Sequence, residues 1–197
     1  SMLKSWDKVT KQAVADGVVA AADPFTTSEN QVTEQAAQIQ NLILQGYNAI
    51  VVNAASPDAL NGAVKQACDA GIVVVSFDGI VTEPCAYRIA VDFAKMGEVQ
   101  IDYLAKKMPA GGNLLEIRGL AGVFVDDEIS KGIHRGVEKN PQFKIVGSVH
   151  GDWAQEVAQK AVAGILPSLP EVAGVVTQGG DGYGAAQAFA AAGRPTP

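Results

Sequence analysis

The chain has 197 residues, 48% of them hydrophobic and 18% charged, and carries a net charge of −6. That length fits one large or two small domains with a real core. The acidic balance argues against a nucleic-acid surface, which needs a basic stripe, and no apolar run reaches the roughly 18 residues of a membrane span.

Leu3 to Asp16 reads as a helix stopped by Gly17, and Val18–Ala22 as a short strand. Ser28-Glu29-Asn30-Gln31 has the form of a capping box. It opens a helix to about Gln45, with Val32, Ala36, Ile39 and Ile43 as the buried stripe. Ala49–Asn53 is a strand. Ser56-Pro57-Asp58 starts a helix that runs to Ala70, with Ser as cap and Pro at the first position. Gly71–Gly79 follows, a β-branched run with little alternation that ends on Asp78. Such a run suits a strand buried on both faces of a parallel sheet, and the chain is organised around it. Tyr87–Val91 is a short strand ending at Asp92.

The second half continues the alternation. Phe93–Met108 is helical and Pro109-Ala110-Gly111-Gly112 punctuates. Asn113–Arg118, Phe143–Val149 and Val172–Thr177 are strands, separated and followed by helices at Asp126–Lys139, Ala154–Leu166 and Tyr183–Ala192. This is the pattern of parallel βαβ units, so the fold class is α/β. The Pro/Gly break suggests two lobes, and the spacing also allows a boundary near Asp92.

Ligands of a parallel α/β sheet sit outside the carboxyl ends of its strands. The sequence places Asn53, Asp78, Asp92, Arg118, Trp153 and Gln178 to Asp181 there. None is a strong nucleophile with a base beside it, so no catalytic residue is assigned. Asp78 either touches a ligand or caps a turn with Gly79. Trp153 is either a platform for the apolar face of a sugar ring or a helix-start residue packed on the core. Asp126-Asp127-Glu128 fits a helix dipole better than a metal site, His134 reads as a surface residue, and no metal or cofactor is expected. Gly180, Gly182 and Ala185 match Gly-x-Gly-x-x-Ala after a strand, which keeps an NAD-dependent Rossmann-type oxidoreductase as an alternative. The acidic strand end expected about 20 residues further on does not follow. Cys68 and Cys85 are not a Cys-x-x-Cys pair. Two free thiols fit a cytosolic chain and one disulfide fits an exported one.

Several stretches carry a resemblance in order. Gln35 to Asn53 reads Gln-Ala-Ala-Gln-Ile-Gln-Asn-Leu-Ile-Leu-Gln-Gly-Tyr-Asn-Ala-Ile-Val-Val-Asn. Ser56 to Leu60, Ala70 to Asp78, Ile117 to Gly122, Gly151-Asp152-Trp153, Thr177 to Asp181 and Ala191 to Arg194 follow. The ordered set resembles the type I periplasmic solute-binding proteins of ABC sugar importers, the ribose-binding-like group. The resemblance implies two Rossmann-like lobes with parallel sheets flanked by helices, residues 1–92 and 93–197, closing on a monosaccharide or polyol. It implies that Asp78 hydrogen-bonds sugar hydroxyls, that Trp153 supplies an aromatic wall, and that Gln178 and Asp181 add polar contacts. Trp6 looks like the aromatic that packs on the sugar. Asp127 stands where many members carry an arginine clamp, so an altered ligand set is expected. The resemblance also implies a monomer that is not an enzyme and that delivers its ligand to a membrane permease. Its expected place is the periplasm, or outside the cell as an anchored lipoprotein, and export favours a Cys68–Cys85 disulfide. The same fold serves as the effector domain of sugar-responsive repressors and sensors, which is a further alternative. The family's first strand and its long C-terminal stretch have no counterpart here, so an incomplete chain is expected.

Overall fold

Two parallel three-stranded sheets organise the described residues, 2–28 and 31–197, of the computed structural model. Helix α1 (Met2–Ala15) comes first and buries none of its residues. The first sheet follows with α2 (Val32–Leu44), β1 (Ala49–Val52), α3 (Asn61–Asp69), β2 (Val73–Phe77) and β3 (Tyr87–Ile89). The second is built from α4 (Phe93–Lys107), β4 (Gly112–Arg118), α5 (Phe124–Lys139), β5 (Phe143–His150), α6 (Gln155–Ile165), β6 (Gly174–Thr177) and α7 (Gly182–Ala191). The strand–helix alternation read from the sequence is therefore present, and the fold class is α/β.

In the first sheet the order is β1-β2-β3, all parallel, so the organising strand β2 is central. Ile50, Val52 and Val74 pack with Ile39 and Leu42 of α2 and Val64 and Ala67 of α3 in one core. The predicted stripe of α2 meets this core through Ile39, with Val32, Ala36 and Ile43 at its edge. The sequence led us to expect β2 to be buried on both faces, and that expectation is corrected. Its burial alternates, because α2 and α3 cover one face only. Val51, Val73, Tyr87 and Ile89 share the other face by register and are exposed.

The second sheet has the order β5-β4-β6, again parallel. Here β4 has the doubly covered character expected of β2. Leu114 packs towards Ile101, Ile129 and Ile133 of α4 and α5, while Leu115 and Ile117 pack towards Val162 and Phe189 of α6 and α7. Helices α4 and α5 approach closely through glycines. A Cβ on Gly97 would strike the Ile129 carbonyl, and one on Gly132 would strike the Ala94 backbone. Glu116 is buried in β4, where Ser130 Oγ and Ser148 Oγ donate to its carboxylate at 2.7 and 2.9 Å.

Three local expectations change. Val18–Ala22 is not a strand. The Val18 and Val19 amides turn back onto the Ala13 carbonyl and close the end of α1, and among the described residues no strand pairs with them. The helix expected from Ser56 begins at Asn61. Ser56 Oγ accepts from the Ala59 amide at 3.3 Å, so the serine caps a turn that precedes the helix. The capping box at 28–31 spans Glu29 and Asn30, which lie outside the described residues.

Cys68 and Cys85 form a disulfide, with Cα atoms 6.4 Å apart. It ties the end of α3 to the loop before β3. Closing a loop of this length in the unfolded chain is worth about 3 kcal/mol. Reduction should therefore lower the melting temperature measured by circular dichroism. An unchanged melt after complete reduction would show that the bridge adds nothing to stability.

Candidate functional site

The carboxyl ends of both sheets carry the polar residues that the sequence singled out. At the first sheet, Asn53 follows β1 and Asp78 follows β2. Asn53 Nδ2 donates to Asp78 Oδ2 at 3.3 Å, and Asn53 Oδ1 accepts from the Gly79 amide at 3.0 Å. The Ala54 amide donates to the Gly79 carbonyl at 2.7 Å. A Cβ at Gly79 would collide with Ala54 O and Asn53 Oδ1, so only glycine fits. The side chain that caps this turn is thus Asn53, while the Asp78 carboxylate is half-buried with Asn53 as its partner. Gln35 of α2 holds the next residues. Its Nε2 donates to the Asn53 carbonyl and its Oε1 accepts from the Ala55 amide, both at 2.8 Å.

At the second sheet a charged cluster does the same work. Arg118 ends β4, and Asp126 and Asp127 lie in the first turn of α5. Asp126 is fully buried and takes Arg118 Nε at 3.2 Å and Nη2 at 2.6 Å. It also accepts from the Gly119 amide at 2.9 Å. Arg118 Nη2 reaches Asp127 Oδ1 at 2.7 Å as well. Burial alone would lower the Arg118 pKa. Hydrogen bonds and charge attraction from Asp126, then Asp127, outweigh it and hold the guanidinium above its usual value.

Trp153 lies across the carboxyl ends of β4 and β6. A Cβ on Gly119 would fall inside its indole ring, and one on Gly179 would touch it. Asp152 and Trp153 have φ of 53° and 54°, and Asp78 has 57°. These are the described non-glycine residues with left-handed backbone, and all three sit at strand ends. Strain of this kind collects where a site needs a fixed geometry.

Gln178 and Asp181 turn inward. Gln178 Oε1 accepts from the Gly119 amide at 3.1 Å and its Nε2 donates to the Asp126 carbonyl at 3.0 Å. Asp181 is fully buried, with Oδ1 accepting from the Gly179 amide at 3.1 Å and Oδ2 without a partner among the described residues. Burial pushes its pKa up, against the pull of hydrogen bonds from its own amide and that of Gly179. Trp6 lies elsewhere, half-buried on α1 beside a separate cavity of about 220 Å³ with Ala22 and Pro24.

A cleft of about 390 Å³ lies between the two halves. Val32, Ala55, Ser56 and Pro57 line it from the first, and Ala121, Gly122, Phe124 and Asp127 from the second. Of the six expected contacts, Asp127 alone is among these lining residues. Ser56 and Phe124 were missed as lining residues: Ser56-Pro57 carries a helix-start signal that masks its place on the wall. Asp126 was legible only as one of three acids at a helix start.

Two stability measurements test this geometry. Arg118→Ala leaves a fully buried carboxylate unpaired and should cost about 3–5 kcal/mol in urea unfolding. Asp127→Ala, whose side chain is 52% exposed, should cost about 1 kcal/mol or less. Equal losses would contradict the assignment of Asp126 as the buried anchor. Asp181 has a folded-state pKa above its unfolded value, so its ionised form works against the fold. That penalty is absent at low pH and sets in as pH rises through the raised carboxylate range. Asp181→Asn should therefore gain stability relative to the native protein between pH 4 and pH 7. A difference that does not change with pH would contradict this.

Comparison with known proteins adds the family. An ABC transporter solute binding protein from Thermobispora bispora superposes with a TM-score of 0.91 at 38% identity, covering 100% of this chain and 61% of that one. The ribose import binding protein of Escherichia coli (strain K12) is 28% identical over 85% of this chain and 57% of its own length. The xylitol-binding protein of Mycolicibacterium smegmatis is 29% identical over 86% of this chain and 50% of its own length. The chain thus spans about half the length of the curated relatives it matches. The family model described as periplasmic binding protein domain matches residues 1–197, and the chain belongs to that family.

Proposed function

We propose that this chain carries the ligand cleft of an ABC-importer solute-binding protein for a monosaccharide or polyol. The observation that carries the reading is the cleft of about 390 Å³, walled from both halves at the carboxyl ends of two parallel sheets. Family membership and relatives named for ribose import and xylitol binding support it. In this reading the lobes divide between Asp92 and Phe93. Separate cores on either side support the division, as does Asp92 capping α4 by accepting from the Lys95 amide at 2.8 Å. Ligand draws the lobes together by hinge closure, and the closed form meets a membrane permease. The protein works in the periplasm, as a monomer, and performs no chemistry on its cargo.

The role of each residue follows from its place. Asp127 offers an acceptor to ligand hydroxyls from the lining of the cleft, and Asp78 offers a second from the carboxyl end of β2. Trp153, wedged on Gly119 and Gly179, offers its remaining ring surface as the apolar side. Gln178 and Asp181 support the wall from behind, since their hydrogen bonds run within the protein.

A thermal-shift titration against pentoses, hexoses and pentitols tests the reading. A concentration-dependent rise for one of them is expected. Asp78→Ala should weaken that ligand by about tenfold or more, on the order of 1.5–3 kcal/mol for a charged hydrogen bond. A flat response to the whole panel would contradict the proposal.

A further inference from the structure

The second wall of the cleft bears on ligand charge, and the argument rests on the sugar-binding reading above. Arg118 stands behind that wall, where a guanidinium would ordinarily be read as a clamp for an anion. Its Nε and Nη2 donors are already engaged by carboxylates, and Nη1 has no hydrogen-bond partner among the described residues. Asp126 takes Nε and Nη2, and Asp127 takes Nη2 again. Two carboxylates around one guanidinium leave a negative charge uncompensated. The Gly119 amide, another donor at the strand end, is held by Asp126 and Gln178. None of the residues lining the cleft is a lysine, arginine or histidine. Asp127 lines it with its side chain 52% exposed, fixed through Oδ1, so that Oδ2 remains as an acceptor.

We infer that Arg118 is a positioning residue that fixes Asp127 as an acceptor-only contact, so that the cleft takes uncharged, hydroxyl-rich ligands and rejects their carboxylate or phosphate counterparts. A hydroxyl donates to Asp127 and satisfies it. A carboxylate brought to the same place meets like charge on a wall whose lining includes no lysine, arginine or histidine. Asp78, at the carboxyl end of β2 in the other half though not among the lining residues, has the same sign. Arg118 sets the direction of the Asp127 carboxylate, and Asp127 sets the charge that the ligand meets.

Isothermal titration calorimetry with xylitol, D-ribose, D-xylonate and D-ribose 5-phosphate tests this. The native protein should bind xylitol or ribose at least about tenfold more tightly than the matching anion. Asp127→Asn keeps the size of the side chain and an acceptor for Arg118 but removes the charge. It should narrow that ratio by about tenfold, whatever it does to the neutral ligand. Arg118→Lys keeps the charge but loses the two-pronged geometry, and should weaken the neutral ligand while the preference over the anion remains. A purely structural role would lower both affinities together and leave the Asp127→Asn ratio unchanged. That result, or native binding of the anion as tight as its neutral partner, would overturn the inference and leave the sugar-binding reading intact. No binding of either neutral probe would instead strike at that reading, and this inference would fall with it.

Discussion

A single buried carboxylate, Asp126, determines the shape of the second wall. It is fully buried and receives Arg118 through two nitrogens and Gly119 through its amide. Its own carbonyl receives Gln178 from the end of β6. The ends of β4 and β6 and the start of α5 are thereby fixed to one another. An ionised group in that position is tolerated only with its partners in place, because an unpaired buried charge costs several kcal/mol. The loop from Leu120 to Val123 therefore leaves and returns at fixed points, and its residues Ala121 and Gly122 form the wall of the cleft.

The first wall reaches the same end with neutral amides. Gln35 holds the backbone at Asn53 and Ala55, and Asn53 in turn holds Gly79 and the Asp78 carboxylate. A carboxamide donates and accepts at once, so each of these two side chains can bridge chain segments without burying a charge. The two walls thus differ in kind. One is set by an ion pair and the other by a relay of amides; Asp127 lines the cleft beside the first, and Asp78 stands half-buried beside the second.

The alternation of helices and strands was legible from periodicity and from glycine and proline stops, and all six strands lie within or beside their expected spans. The exception, Val18–Ala22, shows why a short apolar run is weak evidence for a strand: pairing needs a neighbour, and these amides instead close α1. The strand-end rule pointed to the carboxyl ends of both sheets but not to the direction of each side chain. Gln178 and Asp181 lie at a strand end yet point into the protein, because the Gly119 and Gly179 amides need acceptors there. Trp153 read equally well as core or as platform, and its contact with Gly119 depends on a pair of left-handed residues that no spacing rule reveals. Asp127 entered through family resemblance. Its tie to Arg118, nine positions earlier, depends on how β4 meets α5 and has no local signature.

The central claim is that a neutral polyhydroxylated ligand sits between the two walls. Hydrogen exchange read by mass spectrometry, with and without saturating xylitol or ribose, tests it most directly. The account predicts slower exchange at Ala55–Pro57 and at Ala121–Asp127 together, since one ligand must touch both. Slowing confined to one wall, or found around Trp6 and Pro24 instead, would contradict it.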